Sequence, residues 1–324
     1  METILVSEIS YNKAKSTFEK LSSETDFIFS PTAEDEATLS EAIRSQNVRA
    51  FIADIAPYTG ELYSAIPAGG VIARFGVGHD SVDKEKATTA GIHVANTPGV
   101  LDNAVAEHAV WMLGSLARHV HHAHSSTSNG EWNPQGGIEL KGRKVSVLGC
   151  GRIGQNLTAK LHHGLGMEVT GYDILTDSQF PDSSGITHYT TSLDEALADA
   201  DFVITLLPVL ESPKHIANSE FFAKMKAGAH FINSARGALV CETDLFDSLS
   251  SGHLKGAALD VFEAEPYTPQ HPEKDLRALS NILLTPHIGS NTLESNAAMA
   301  ATAAQNCITI LTQGAEACPN IVNR

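Results

Sequence analysis

The chain has 324 residues, room for two ordinary domains, and its 42% hydrophobic and 19% charged residues are a globular composition without the signature of disorder. A net charge of -16 excludes the basic stripe that nucleic-acid phosphates require, so no nucleic-acid partner is expected. The most apolar stretch, FVITLLPVL, has nine residues and contains Pro208, against the roughly 20 that a membrane-spanning helix needs. METILVSEIS carries no basic leader, and Cys150, Cys241, Cys307 and Cys318 form no C-x-x-C pair. A cytoplasmic protein with reduced thiols and no membrane partner is therefore expected.

In chain order, the first hundred residues alternate short β-rich runs (TILVS, DFIFS, AFIAD, VIARFG and IHVAN) with polar, helix-compatible spacers. Spacers of about 20 residues suit βαβ crossovers and a parallel sheet. The segment LDNAVAEHAVWMLGSLARHVHHAH then predicts one long amphipathic helix, with Asp102 or Asn103 as N-cap. STSNGEWNPQGG reads as a loop. A second series follows in KVSVLG, EVTGYD, DFVITLLP, AHFINSA, GAALDVF and NILLTPH, and the alanine-rich stretch after His287 predicts a final helix. The fold class is α/β: two Rossmann-like or flavodoxin-like domains with parallel sheets, one inserted into the other. Residues 1–99 plus 291–324 are expected to form the outer domain and 100–290 the inserted one, since the final helix is needed to cover the first sheet.

The second series opens with Gly149-x-Gly151-x-x-Gly154 between the strand KVSVL and the helix-compatible RIGQNLTAKLHHGL. In that setting Gly149 permits the tight turn, Gly151 lets backbone approach a pyrophosphate, and Gly154 lets helix and strand pack closely. The helix N-terminus offers free N–H groups and a positive dipole end. Asp173 ends the next strand 19 residues beyond Gly154, near the ~20 expected of a carboxylate that binds a ribose diol. A 2′-phosphate would meet that carboxylate with no cation at Ile174, Leu175 or Thr176, so the expected cofactor is NAD.

Three residues beyond this turn suit a keto acid accepting a hydride. Arg236 in INSARGALV, Glu265 in ALDVFEAEP and His287 in ILLTPHIGS each lie at or just past the end of an apolar run. A guanidinium holds a carboxylate in a bidentate grip, an imidazole delivers a proton, and a neighbouring carboxylate keeps that imidazole protonated.

With ARFGVGHDSVD (73–83), NTPGVLDNAVAEHAV (96–110), VLGCGRIG (147–154), INSARGALV (232–240), ALDVFEAEP (258–266) and LLTPHIGS (283–290), the chain resembles the D-isomer-specific 2-hydroxyacid dehydrogenases over nearly its whole length. The resemblance implies two α/β domains with the active site in their cleft, the first completed by the C-terminal helix. It implies that Arg236 binds and polarises the substrate carboxylate and carbonyl, that His287 is the general acid in reduction and base in oxidation, and that Glu265 hydrogen-bonds His287 and favours its protonated form. Val77 and Gly78 would offer backbone N–H groups to the substrate. Gly149, Gly151, Arg152, Ile153, Gly154, Asp173, Pro208, Ser234, Ala235, Arg236, Asp260, His287 and Gly289 would line the NAD site. No metal is implied, and a homodimer is expected. Ser146, Leu206 and Pro213 depart from the family pattern, where Gly, His and Thr are usual.

His119, His121, His122 and His124 invite a metal reading, but no carboxylate or Cys falls at matching spacing, and a solvated or inter-domain helix end is expected. His79 is either a turn residue or a substrate-facing group. The loop IADIAPYTGEL, where the family contacts the substrate tail, carries Ala56, Pro57 and Tyr58 but no Arg or Lys. Phosphorylated substrates are therefore disfavoured, and Glu265 stands where the family's formate dehydrogenases have Gln. The expected function is reduction of a small 2-keto acid (glyoxylate, hydroxypyruvate or pyruvate) to the D-2-hydroxy acid. The alternatives are a dinucleotide-sensing, corepressor-like scaffold, or a family dehydrogenase acting on 3-phosphoglycerate or phosphite.

Overall fold

The five apolar runs of the first hundred residues become strands β1 (Glu2–Ser7), β2 (Phe27–Thr32), β3 (Ala50–Ala53), β4 (Val71–Arg74) and β5 (His93–Ala95). They form one parallel sheet in the order β2-β1-β3-β4-β5. β3 and β4 are buried throughout, which is why AFIA and VIA read as continuous apolar runs rather than as alternating ones. These positions come from a computed structural model, which describes residues 1–175, 180, 182–209 and 215–323. The chain divides into two units, Met1–Leu101 with Asn291–Arg324, and Asp102–Ser290.

The first unit is completed by the chain's last segment. The helix Leu293–Gln313 starts where Thr292 accepts a hydrogen bond from the Ser295 N–H, and it ends at Gly314 with φ 89°. Ala300, Ala303, Ala304 and Cys307 form its buried stripe, laid against β4 and the helix Lys15–Glu24. The tail then runs beside β5: Ala95 bridges Ile321, and the Val322 N–H donates to the Val94 carbonyl at 2.8 Å. Asn306 Nδ2 donates to the Asn96 carbonyl at 2.8 Å, fastening the final helix to the end of β5.

The second unit holds β6 (Lys144–Leu148), β7 (Glu168–Tyr172), β8 (His188–Thr190), β9 (Phe202–Thr205), β10 (His230–Asn233), β11 (Gly256–Leu259) and β12 (Ile282–Leu284). All pair in parallel, in the order β12-β11-β10-β9-β6-β7-β8. This is a doubly wound sheet whose order reverses between β6 and β9. Side chains alternate between its two faces: Phe202 and Ile204 join the cluster under the helix Asp102–Arg118, and Val203 joins the cluster around Phe221, Phe222 and Phe231.

Three local features differ from the sequence reading. β8 has only three residues, two of them polar, on the sheet edge, so no apolar run announces it. The long helix is broken: Asp102–Arg118 and Val120–Ser128 meet at His119, whose φ of 54° lies in the left-handed region. The second piece extends through 126–128, which had read as loop. Pro213 and Thr176 lie outside the described residues. Among the described residues no helix is long and apolar enough to cross a membrane, and no group of three His, Cys, Asp or Glu is placed to hold a metal ion.

His230, at the start of β10, is 3% exposed and stacks on Phe202 at 4.8 Å. Burial, reinforced by the nearby Lys255 charge, pushes its imidazole down to about 4. An unfolded chain, titrating near 6.5, therefore takes up the proton first as pH falls. Stability is present above pH 6.5 and is lost between pH 6.5 and 4, by about 3 kcal/mol. Urea melts across that window should show the decline, and His230→Gln should flatten it.

Candidate active site at the carboxyl ends of the second sheet

Every residue proposed for cofactor binding or chemistry in the second unit lies beyond the carboxyl end of a strand, where doubly wound sheets bind ligands. Gly149 follows β6 with φ 105°, and a Cβ there would stand 2.8 Å from the Leu206 backbone. A Cβ at Gly154 would fall 2.0 Å from the Gly149 carbonyl oxygen, so only glycine fits. A Cβ at Gly151 would meet nothing within 4 Å, leaving the approach to the helix Arg152–Ala159 open. These are the constraints of a phosphate-binding turn: two close packings and one clear path to the first-turn amides. Arg152 and Ile153 lie in that first turn, and Arg152 Nε donates to Asp102 at 2.8 Å.

Asp173 stands just past β7 and reaches back to the turn. Its Oδ2 accepts the Cys150 N–H at 2.9 Å and its Oδ1 accepts the Ile174 N–H at 2.8 Å. Each oxygen retains a lone pair for a hydroxyl. Ile174 and Leu175 beside it are exposed and uncharged. Pro208, past β9, is exposed, while Ser234, past β10, is buried with a hydroxyl that has no partner among the described residues. Two of the family departures are absorbed locally. Ser146 Oγ donates to the Ala196 carbonyl at 2.5 Å, and Leu206 packs into the cluster under the helix Asp102–Arg118.

Arg236, Glu265 and His287 follow β10, β11 and β12, three neighbouring strands. Asn233 folds the turn ahead of Arg236: its Oδ1 accepts the Ala235 N–H at 3.0 Å and its Nδ2 donates to the Arg236 carbonyl at 2.9 Å. His287 adopts φ 51° and places Nδ1 2.7 Å from Glu265 Oε2. An ionised carboxylate only accepts, so Nδ1 is the donor and Nε2 is the atom left to exchange a proton.

Asp260, expected along the cofactor, is 1% exposed, and its observed partners build the loop that carries His287. Its carboxylate accepts the N–H groups of Ile288 and Gly289 at 2.9 and 2.7 Å and the Thr285 hydroxyl at 2.6 Å, with His108 Nε2 at 3.3 Å. Burial opposes its ionised form, but hydrogen bonds from His108, Thr285 and Ile288 outweigh that and hold the carboxyl below its usual range. The Asp260 carbonyl also accepts the His287 N–H at 2.8 Å. Asp260 thus sets the backbone from which His287 projects, and Gly289 leaves room for it, since a Cβ there would stand 3.0 Å from Asp260 Oδ2.

In the first unit, the turn after β4 contains Val77 and Gly78. Its carbonyls are tied down: Asn96 Nδ2 donates to Val77 at 2.8 Å and Arg74 Nε donates to Gly78 at 2.8 Å. Among the described residues neither the Val77 nor the Gly78 N–H has an acceptor. Arg74, 4% exposed, also donates to the carbonyls of Ala53 and Asp54. Sequence reading missed this guanidinium because it sits inside an apolar strand. Tyr58, in the loop IADIAPYTGEL, is 1% exposed and edge-on to Phe51 at 5.6 Å, so it belongs to the core. Ile55, Pro57, Thr59, Gly60 and Glu61 are the exposed residues of that loop.

Comparison with known proteins identifies the family. A family model described as the NAD binding domain of D-isomer specific 2-hydroxyacid dehydrogenases matches residues 110–289. The chain belongs to the D-isomer specific 2-hydroxyacid dehydrogenases. It is 37% identical over 273 residues to a glyoxylate reductase of Pyrococcus furiosus, covering 82% of this chain and 79% of that one. It is 39% identical over 227 residues to a hydroxypyruvate reductase of Thermotoga maritima, covering 69% and 72%. A solved NADPH-dependent glyoxylate/hydroxypyruvate reductase of Sinorhizobium meliloti, in complex with NADP and malonate, superposes with TM-score 0.84 at 27% identity, over 99% of this chain and 96% of that one. The chain is thus an oxidoreductase with a nicotinamide dinucleotide cofactor.

Proposed function

We propose that this dehydrogenase reduces glyoxylate, hydroxypyruvate or a similarly small 2-keto acid to the D-2-hydroxy acid, with NADH as the reductant. The observation that carries the reading is the 2.7 Å contact between His287 Nδ1 and Glu265 Oε2, one strand-end away from Arg236. The bound dinucleotide supplies the hydride. Gly149, Gly151, Gly154 and the first-turn amides of Arg152 and Ile153 hold its phosphates, and Asp173 accepts from its ribose. Pro208, Ser234, Ala235 and Gly289 line the remainder of its seat. Arg236 grips the substrate carboxylate and draws charge toward the carbonyl oxygen. His287 Nε2 gives that oxygen a proton, and Glu265 stabilises the charged imidazole from the other side. The Val77–Gly78 amides have the form of a carboxylate-binding turn.

The preference for NADH rests on Asp173: its carboxylate repels a 2′-phosphate, and the exposed neighbours Ile174 and Leu175 offer no compensating cation. The test is NADH and NADPH oxidation at 340 nm against a panel of 2-keto acids. NADH with glyoxylate or hydroxypyruvate should give the highest kcat/KM. Asp173→Ala should lower the NADH value about tenfold or more, since a charge-assisted hydrogen bond is worth about 1.5–3 kcal/mol, and should spare NADPH. No turnover on any acid sinks the substrate assignment; a wild-type preference for NADPH sinks the cofactor assignment.

A further inference from the structure

Behind the Glu265–His287 pair lies another carboxyl that the roles above leave unused. Glu242 opens the helix Glu242–Ser250 and is 3% exposed. Its N–H donates to Glu263 Oε1 at 2.9 Å, while its own Oε1 accepts the Glu263 N–H at 2.7 Å. This reciprocal pair clamps the start of the helix to the segment that carries Glu265. Within that segment the Phe262 N–H donates to Glu265 Oε1 at 3.0 Å. From the other side Gly237 closes in, so near that a Cβ would fall 1.9 Å from the Phe262 carbonyl. The segment from Phe262 to Glu265 is therefore pinned between the turn after β10 and Glu242.

Glu242 Oε2 is buried and has no hydrogen-bond partner among the described residues. A bare anionic oxygen in that place is costly, and a neutral acid is much less so. The groups around it are mostly negative: Glu263 and Glu265 face it from the pinned segment, with Tyr267 beyond them. His215 Nε2 lies 3.2 Å from Glu263 Oε2 and His287 lies behind Glu265, so the two imidazoles reach it only through other carboxylates. Burial first, then the Glu263 and Glu265 charges, push the Glu242 carboxyl up to about 7.

We propose that Glu242 is a positioning residue for the reduction: as a neutral acid it braces the segment that aims Glu265 at His287, and on ionising it adds negative charge that helps retain the proton on His287. The proposal rests on the reading of Glu265 and His287 as the acid pair. It adds a proton-binding group that touches neither substrate nor cofactor.

The test is the pH profile of NADH-linked glyoxylate reduction by the full chain carrying Glu242→Ala or Glu242→Gln. Glu242→Ala removes the acceptor for the Glu263 N–H and is expected to lower kcat about tenfold with little change in KM, as a misaimed proton donor does. Glu242→Gln keeps an oxygen there and is expected to recover most of that loss at pH 6. It stays neutral above pH 7, so its alkaline limb should begin at lower pH and leave roughly one-third of the relative wild-type rate at pH 9. A Glu242→Gln profile that superposes on wild type overturns the proposal, whether or not Glu242→Ala folds. Wild-type turnover by His287→Ala and Glu265→Gln would instead overturn the acid-pair reading, a separate result.

Discussion

His287→Ala is expected to lower kcat for 2-keto acid reduction about a thousandfold while leaving NADH affinity within a fewfold of wild type. A positioned general acid contributes about 10²–10⁴ in rate, and no other imidazole follows β12 within the described residues. Stopped-flow turnover with NADH fluorescence titration separates the two effects. Glu265→Gln should give a smaller loss, because an amide still meets Nδ1 but carries no charge. A variant at position 287 that keeps wild-type kcat would remove the imidazole from the chemistry.

Arg236 should be nearly as sensitive, with a different kinetic signature. Two charge-assisted hydrogen bonds at about 2 kcal/mol each are worth about 4 kcal/mol, or roughly a thousandfold in kcat/KM. Arg236→Ala should raise KM for the keto acid and lower kcat together, because the guanidinium both binds the carboxylate and draws charge from the carbonyl. Arg236→Lys restores the charge without the planar fork and should recover only about tenfold. Steady-state kinetics with NADH saturating would distinguish these outcomes, and a Lys variant equal to wild type would argue against bidentate recognition.

Arg236, Glu265 and His287 could be proposed from sequence because each follows an apolar run, FI, AAL or ILL, and carries the side-chain chemistry a keto acid needs. The glycine turn was legible for the same reason: its chemistry is carried by consecutive residues between one strand and one helix. β8 was not, since a three-residue edge strand with polar side chains has no burial pattern to read. Nor was the break at His119, because a single left-handed residue leaves hydrophobic spacing almost intact on either side. The burial of Tyr58 has no sequence signal either: it stands in a loop between Pro57 and Thr59, yet its ring fills the space beside Phe51.

By itself the sequence determined the α/β class, the glycine turn of the dinucleotide-binding unit and the chemical types of the residues proposed to react, because these follow from local periodicity and from what each side chain does. The tertiary structure alone decided which groups stand behind them. That Asp260 shapes the loop of His287, that Asp173 anchors the Cys150 amide, and that Glu242 clamps Glu263 depend on residues between 21 and 29 positions apart meeting at neighbouring strand ends. Strand order, set by how the crossovers pack, brings those ends together, and no run of adjacent residues encodes it.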